Sequence, residues 1–350
     1  MLRLIFSSNE NQCIFVKKNT LEGIEVNAKD CFVFWGHTVP FEILKIANQH
    51  KVKILRLEDG FIRSVGLGSD LIPPLSLVAD QSGMYFDSSK PSDLEELLQR
   101  HSFSNNELSR AKEVHRMIVR NKITKYNIEP NRTVSWNTLN KVAVLVVGQV
   151  ENDASILAGA KGRVRTNLEL LKAAHEMHPD AFIVYKPHPD VHMNNRKGYI
   201  NPKQIYLYAN HTEINASIIS CIEASDFIHT ITSLSGFDGL LRQKKVFVHG
   251  DPFYAGWGLT IDLGLSEQCR QRRTRKLSIT ELIAGALIKY PLYWDWNTKK
   301  ITTCEATVLS ITKYSRNIHL DINRSRSRII FLKRKFNKFM MLFKIYLGHL

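Results

Sequence analysis

Over the first sixty residues, short apolar runs alternate with polar, turn-forming stretches. Runs rich in Ile, Val and Phe occupy 2–6, 13–17 and 31–35, and the third ends in Gly36-His37-Thr38-Val39-Pro40. These read as strands, because β-branched and aromatic residues suit a pleated, half-buried surface. A helix is expected over 41–48 and another strand over 52–57. Strands alternating with helices predict a mostly parallel sheet covered on both faces, with ligands at the C-terminal strand ends. Gly36-His37 and Glu58-Asp59-Gly60 fall at such ends.

Residues 61–86 are dense in Gly and Pro yet apolar, which suits an ordered, irregular loop near a ligand better than disorder. The pattern turns helical over 91–125, opened by Ser92-Asp93 as cap and first-turn acid. The polar segment 127–140 is a candidate linker. Beyond it, 142–148 is a continuous apolar run of the kind found in a central parallel strand. A helix over 167–177, a strand over 181–185, an apolar run at 205–207 and a helix near 214–223 follow.

The stretch 227–260 has the clearest pattern. An apolar opening at Phe227 and Ile228 leads into Thr230, Thr232, Ser233 and Ser235. Then Gly236, Phe237, Leu240 and Leu241 recur at helical spacing before a second strand at 246–248. The helix start gathers hydroxyls and unpaired N–H groups, which suits a nucleotide phosphate. Ser233 or Ser235 acting only as a helix cap is the plainer alternative. The loop from Pro252 to Gly258 holds too many aromatics for a plain connector. A helix over 277–290 and an aromatic turn at 293–296 complete this part.

Composition narrows the picture. With 350 residues, 44% hydrophobic and 23% charged, the chain reads as soluble and globular, long enough for two domains. The net charge is +15, but residues 313–350 hold ten Lys or Arg against one acid, Asp321. Within that tail, Leu332, Phe336, Phe339, Phe343 and Tyr346 form one helical stripe flanked by cations, as in helices that lie on anionic membranes. A helix docked on the protein, or an arm for nucleic acid, is the alternative, although no nucleic-acid motif is present. Five scattered cysteines predict neither disulfides nor zinc, and no apolar run is long enough to span a bilayer. A reducing, cytoplasmic setting is expected.

Acids recur at the strand ends as Glu58/Asp59, Glu151/Asp153 and Asp190. Paired carboxylates suit glycosyl transfer, one at the anomeric carbon and one handling a hydroxyl proton; any one of them alone equally suits a helix cap. In Lys186-Pro187-His188-Pro189 two prolines fix the backbone and present His188 in one orientation. It is either a phosphate or ribose donor or a surface histidine in a proline turn. With Ser233 and Ser235 it makes a cradle for a nucleotide monophosphate. Neither a P-loop nor a well-placed dinucleotide fingerprint occurs.

The segments 57–80 (LEDGFIRSVGLGSDLIPPLSLVAD), 85–98, 147–156 (VGQVENDASI), 184–191 (VYKPHPDV) and 229–260 stand together in one order. In them the chain resembles the capsule polysaccharide biosynthesis family of bacterial β-Kdo glycosyltransferases, the KpsC-like group and related lipopolysaccharide enzymes. The resemblance implies an α/β, GT-B-like fold: an acceptor-side Rossmann-like domain over 1–135 and a CMP-sugar-binding one over 136–310, facing a central cleft. The basic amphipathic helix over 311–350 would complete it.

The implied reaction transfers Kdo, an eight-carbon ulosonic acid with a carboxylate on its anomeric carbon, from CMP-β-Kdo with retention. The acceptor would be a lipid-linked, lipopolysaccharide or capsule glycan at the inner membrane of a Gram-negative cell, with 324–350 on the anionic surface. No cofactor and no metal is expected. By motif position the implied nucleophile is Asp153, with Asp59 serving the acceptor hydroxyl and Glu58 and Glu151 as further catalytic acids. Lys186, His188, Ser233, Ser235, Gly236, Arg63, Gly36 and Gln149 are implied to bind the donor. Asn152 stands where a second acid is expected, and one module is present where capsule enzymes carry two, so a single kind of β-Kdo linkage, or capping of a glycan with a single Kdo, is expected. Transfer of sialic acid from CMP-sialate, or a non-catalytic module keeping the CMP pocket, are the alternatives.

Overall fold

The structure, a computed structural model, describes residues 2–7, 11–16, 25–66, 71–127, 133–193 and 196–324. The expected amphipathic stripe at 329–347 lies outside them. The described residues form two sheets. The second is the simpler: β4 (Ala143–Val147), β5 (Phe182–Lys186), β6 (His211–Thr212), β7 (Phe227–Thr230), β8 (Lys245–Val248) and β9 (Ile261–Asp262). These six run in the order β6-β5-β4-β7-β8-β9, all parallel. Every residue of β4 is buried, as its unbroken apolar run requires of a strand covered on both faces. The strand order reverses between β4 and β7, the crevice in which doubly wound sheets of this order hold a nucleotide.

The first sheet corrects an expectation. It contains β1 (Cys31–Trp35), β2 (Lys53–Asp59) and β3 (Ser76–Asp80), joined by two strands from far along the chain, β10 (Pro291–Asp295) and β11 (Lys300–Thr302). Only β1 and β2 are parallel; the other pairings are antiparallel. The sheet is therefore mixed, not mostly parallel. Among the described residues no helix separates β2 from β3, and a parallel return needs a crossover connection. Nor is it covered throughout, since Cys31, Val33 and Trp35 of edge strand β1 are exposed. Strands β10 and β11, which the sequence groups with the second half, complete the sheet of the first.

Several local readings also change. Residues 2–6 form a short helix and 11–16 no strand, because short apolar runs do not distinguish the two by periodicity. The apolar run at 205–207 belongs to the end of helix Pro202–Ile205, which starts with Asn201 as cap and Pro at the first position. The aromatic turn at 293–296 is instead largely β10, whose Tyr293 and Trp294 are buried. The helix over 277–290 is α-helical at Ile279–Ile283 and π-helical at Ala284–Lys289. There a Cβ on Gly285 would lie 2.5 Å from Leu98, so close packing accompanies the widened turn. Helix Asn167–Met177 forms as expected, with Thr166 and Glu169 as a capping box. One apolar core runs through both halves, from Leu94 and Val114 to Leu145 and Phe237, and fixes the sheets against each other.

Candidate functional site

A cleft of about 340 Å³ opens between the two sheets. It collects the C-terminal end of β2 (Glu58, Asp59), the turn after β4 (Gln149, Val150, Asp153), His188 beyond β5 and the turn after β7 (Thr232, Ser233, Leu234). Of the residues expected from sequence, the cleft therefore unites Glu58, Asp59, Gln149, Asp153, His188 and Ser233.

Across the switch point Gln149 ties β4 to β7. Its side-chain oxygen accepts from the Thr232 amide at 2.9 Å and its Nε2 donates to Thr232 Oγ1 at 3.1 Å. Ser233 caps helix Leu234–Leu241, accepting from the Ser235 amide at 3.2 Å. The cap reading and the cleft reading thus hold together, because the capping residue is also a lining residue. Ser235 lies behind it, accepting from Ser233 Oγ at 3.2 Å. His188 accepts the Asp190 amide on Nδ1 at 3.2 Å, so the neutral ring carries its proton on Nε2.

The acids differ in their surroundings. Asp153 caps helix Ala154–Gly159; its Oδ1 accepts both the Ser155 amide at 3.0 Å and the Ser155 hydroxyl at 2.8 Å. Asp59 is held by Arg63, whose Nε donates to Oδ2 at 2.5 Å with both side chains largely buried. Its other oxygen is buried with no hydrogen-bond partner among the described residues. Glu58 accepts the Asp59 amide at 2.9 Å. Burial pushes the Glu58 carboxyl above its ordinary range, with Asp59 and Asp153 adding to the rise and the Asp59 amide and Lys125 opposing it. Carboxylates from the two sheets therefore sense one another across the cleft.

Other expected residues fall elsewhere. Glu151, two positions before Asp153, turns away and accepts the Asn167 amide at 2.9 Å, bracing the next helix. Arg63 is occupied by Asp59 and by Ser64 Oγ at 2.9 Å. Lys186 is buried, with its ammonium on the Ala216 carbonyl at 2.6 Å. Gly236 matters for packing, since a Cβ there would meet the Tyr254 hydroxyl at 2.3 Å. Gly36 takes φ +83° in the turn after β1, with open space around it, which makes it a turn residue.

Phe61, Tyr85, Thr232 and Phe253 line the cleft from stretches the sequence singled out without naming them as site residues, and Lys125 and Tyr126 line it from a stretch the sequence passed over. Phe61 and Tyr85 of the first half meet Phe253 of the second, with Phe61 at 4.5 Å centroid distance from Phe253 and 4.8 Å from Tyr85. Burial pushes the Tyr85 phenol up to about 12. The loop behind Phe253 is rigidly built. Tyr254 and Trp257 are fully buried, Tyr254 donates to the Ser233 carbonyl at 2.5 Å, and Arg273 donates to the Pro252 and Ala255 carbonyls.

Fold and site together define an α/β protein with an acid-lined cleft at the switch point of a nucleotide-type parallel sheet. The chain belongs to the capsule polysaccharide biosynthesis protein family, whose pattern matches residues 30–132 and 100–293. The capsule polysaccharide modification protein LipA of Neisseria meningitidis serogroup B is 45% identical over 289 residues, covering 83% of this chain and 40% of LipA. The lipopolysaccharide-processing protein LpsZ of Rhizobium meliloti is 40% identical over 285 residues, 80% of this chain and 63% of LpsZ. The chain thus spans less than two thirds of the length of these relatives.

Among solved structures, the β-Kdo 2,4 transferase of Thermosulfurimonas dismutans KpsC superposes with TM-score 0.71 at 33% identity, covering 80% of this chain and 86% of that one. The β-Kdo 2,7 transferase of the same protein gives 0.65 at 38% identity, covering 81% and 85%.

Proposed function

We propose that this protein is a retaining β-Kdo transferase of GT-B-like arrangement, taking Kdo from CMP-β-Kdo to a lipid-linked, lipopolysaccharide or capsule glycan. The observation that carries this reading is the meeting of Asp153 from the second sheet with Glu58 and Asp59 from the first in one cleft at the strand-order reversal. The likeness to two β-Kdo transferase structures supports the sugar.

In the proposed scheme the nucleotide occupies the crevice between Gln149 and Ser233, and the Nε2–H of His188 donates to its phosphate. Asp153, oriented by the two bonds from Ser155, attacks the anomeric carbon. A carbon–oxygen bond forms to Asp153, the bond to the phosphate oxygen breaks, and CMP leaves with the electron pair. In the second step an acceptor hydroxyl attacks the same carbon, its proton passes to a carboxylate, and the bond to Asp153 breaks. Two inversions give net retention.

Asp59, expected to serve the acceptor hydroxyl as base or acid, is held in an ion pair with Arg63. Glu58, whose affinity for a proton is raised, takes the role. The setting proposed is the cytoplasmic face of the inner membrane, with the basic residues of 324–350 on its anionic surface. The test is incubation with CMP-Kdo and a panel of lipid and glycan acceptors, following CMP release and determining the product linkage by NMR. Binding of CMP without release or product on any acceptor would instead support a non-catalytic module. Preferential use of CMP-sialate in competition would change the donor.

A further inference from the structure

The donor of the proposed reaction brings a carboxylate on its anomeric carbon into a cleft that already holds Glu58, Asp59 and Asp153. Like charges so placed repel strongly where water is scarce, so a cation must face the incoming group. The cations that the sequence suggested are committed elsewhere: Arg63 to Asp59, Lys186 to the Ala216 carbonyl, and the His188 ring at Nδ1 to the Asp190 amide.

Lys125 is placed differently. It lines the cleft, and no hydrogen bond or ion pair joins its ammonium to any described residue; the ammonium sits 5.7 Å from the centroid of the Tyr126 ring. Its backbone is fixed. The carbonyl accepts from the Arg63 amide at 3.0 Å and the Ser64 amide at 3.2 Å. The turn around it is closed by reciprocal Thr124 and Asn127 bonds of 2.9 Å each. A cation whose backbone is locked from both sides, and whose ammonium feels Glu58 and Asp59 only through space, with no hydrogen bond or ion pair to any described residue, is poised for an anionic ligand.

We propose that Lys125 recognises the anomeric carboxylate of the donor sugar and so selects ulosonic acids over neutral sugars. This rests on the transferase reading above. When the donor binds, the ammonium donates to the carboxylate as its counter-ion, leaving Asp153 free to reach the anomeric carbon beside it.

The test compares wild type, Lys125→Met and Lys125→Arg for steady-state transfer from CMP-Kdo and for affinity to CMP alone by calorimetry. Loss of one charge-assisted bond predicts a fall of about 10- to 100-fold in kcat/KM for Lys125→Met, with partial recovery in Lys125→Arg. Affinity for CMP, which lacks the carboxylate, should stay within about twofold. If transfer by Lys125→Met matches wild type, the assignment is overturned while the transferase reading stands. An equal loss of CMP affinity overturns it too, since the residue would then serve the nucleotide or the fold. A wild-type protein that transfers no Kdo overturns both.

Discussion

Glu151 and Asp153 stand two positions apart in one turn and have unrelated work. The first braces helix Asn167–Met177 through the Asn167 amide, while the second lines the cleft. Sequence presents both as acids after a buried strand, and nothing in their types or spacing says which way each turns. The same limit applies to Lys186 and Lys125, where the cation in the recognisable motif is consumed by a backbone carbonyl and the one outside it faces the cleft. Residue chemistry was legible; its direction depends on tertiary partners that no local pattern encodes.

Glu58 yields a prediction at this scale. Because burial raises its pKa and the base must be deprotonated, activity should fall on the acid side at a pH above the ordinary carboxylate range. A kcat/KM profile against pH should show that limb in wild type and lose it in Glu58→Gln, together with about 10²-fold or more of the rate. An unchanged profile in Glu58→Gln would assign the proton to another group.

At the scale of elements, the strand, hydroxyl turn, helix and strand over 227–248 appear where the pattern places them, since period and capping chemistry agree there. The first-half sheet was less legible because β10 and β11 return from the far end of the chain, and periodicity does not report pairing partners. The loop from Pro252 to Gly258 was rightly singled out for its aromatics, yet most of them are internal: Tyr254 and Trp257 are buried, and Phe253 lines the cleft.

This loop and helix Leu234–Leu241 interlock through Gly236, over which the Tyr254 hydroxyl lies, reaching the Ser233 carbonyl. Gly236→Ala should force them apart and cost roughly 1–3 kcal/mol, the usual penalty of overpacking. Urea unfolding would measure the loss, and CMP affinity should weaken in parallel because Ser233 moves with the helix. Wild-type stability in that variant would contradict the packing.

At the scale of the whole molecule, the halves are joined by more than the shared core. Glu95, on helix Asp93–Arg100 of the first half, receives Arg272 and Arg273 of the second, with Arg273 Nε at 2.8 Å. The stability of this joined body should depend on pH through three contacting histidines. His229 lies between His178 and His249 at 3.1 Å from each, stacked on Phe247. Burial, and for His229 its two histidine neighbours, lowers their pKa values, to about 2 for His229 and about 4 for His249.

His229 and His249 are thus neutral in the fold and take up protons at pH ~6.5 only when unfolded. The stabilisation is fully present above that pH and is lost as pH falls below it, by ~1.4 kcal/mol per pH unit for each buried ring. Denaturant midpoints at pH 7 and pH 5 should show the loss, and His229→Phe should reduce it. An equal pH dependence in that variant would place the sensitivity elsewhere.

The account turns on Asp153 as the residue that carries the sugar between donor and acceptor. Intact-mass analysis of wild type and Asp153→Ala with CMP-Kdo, at limiting acceptor, tests it most directly. The expected result is a wild-type species heavier by one Kdo, mapped by peptide sequencing to Asp153, that disappears on adding acceptor and never forms in Asp153→Ala. Transfer by a folded Asp153→Ala protein, or an adduct on another residue, would contradict it.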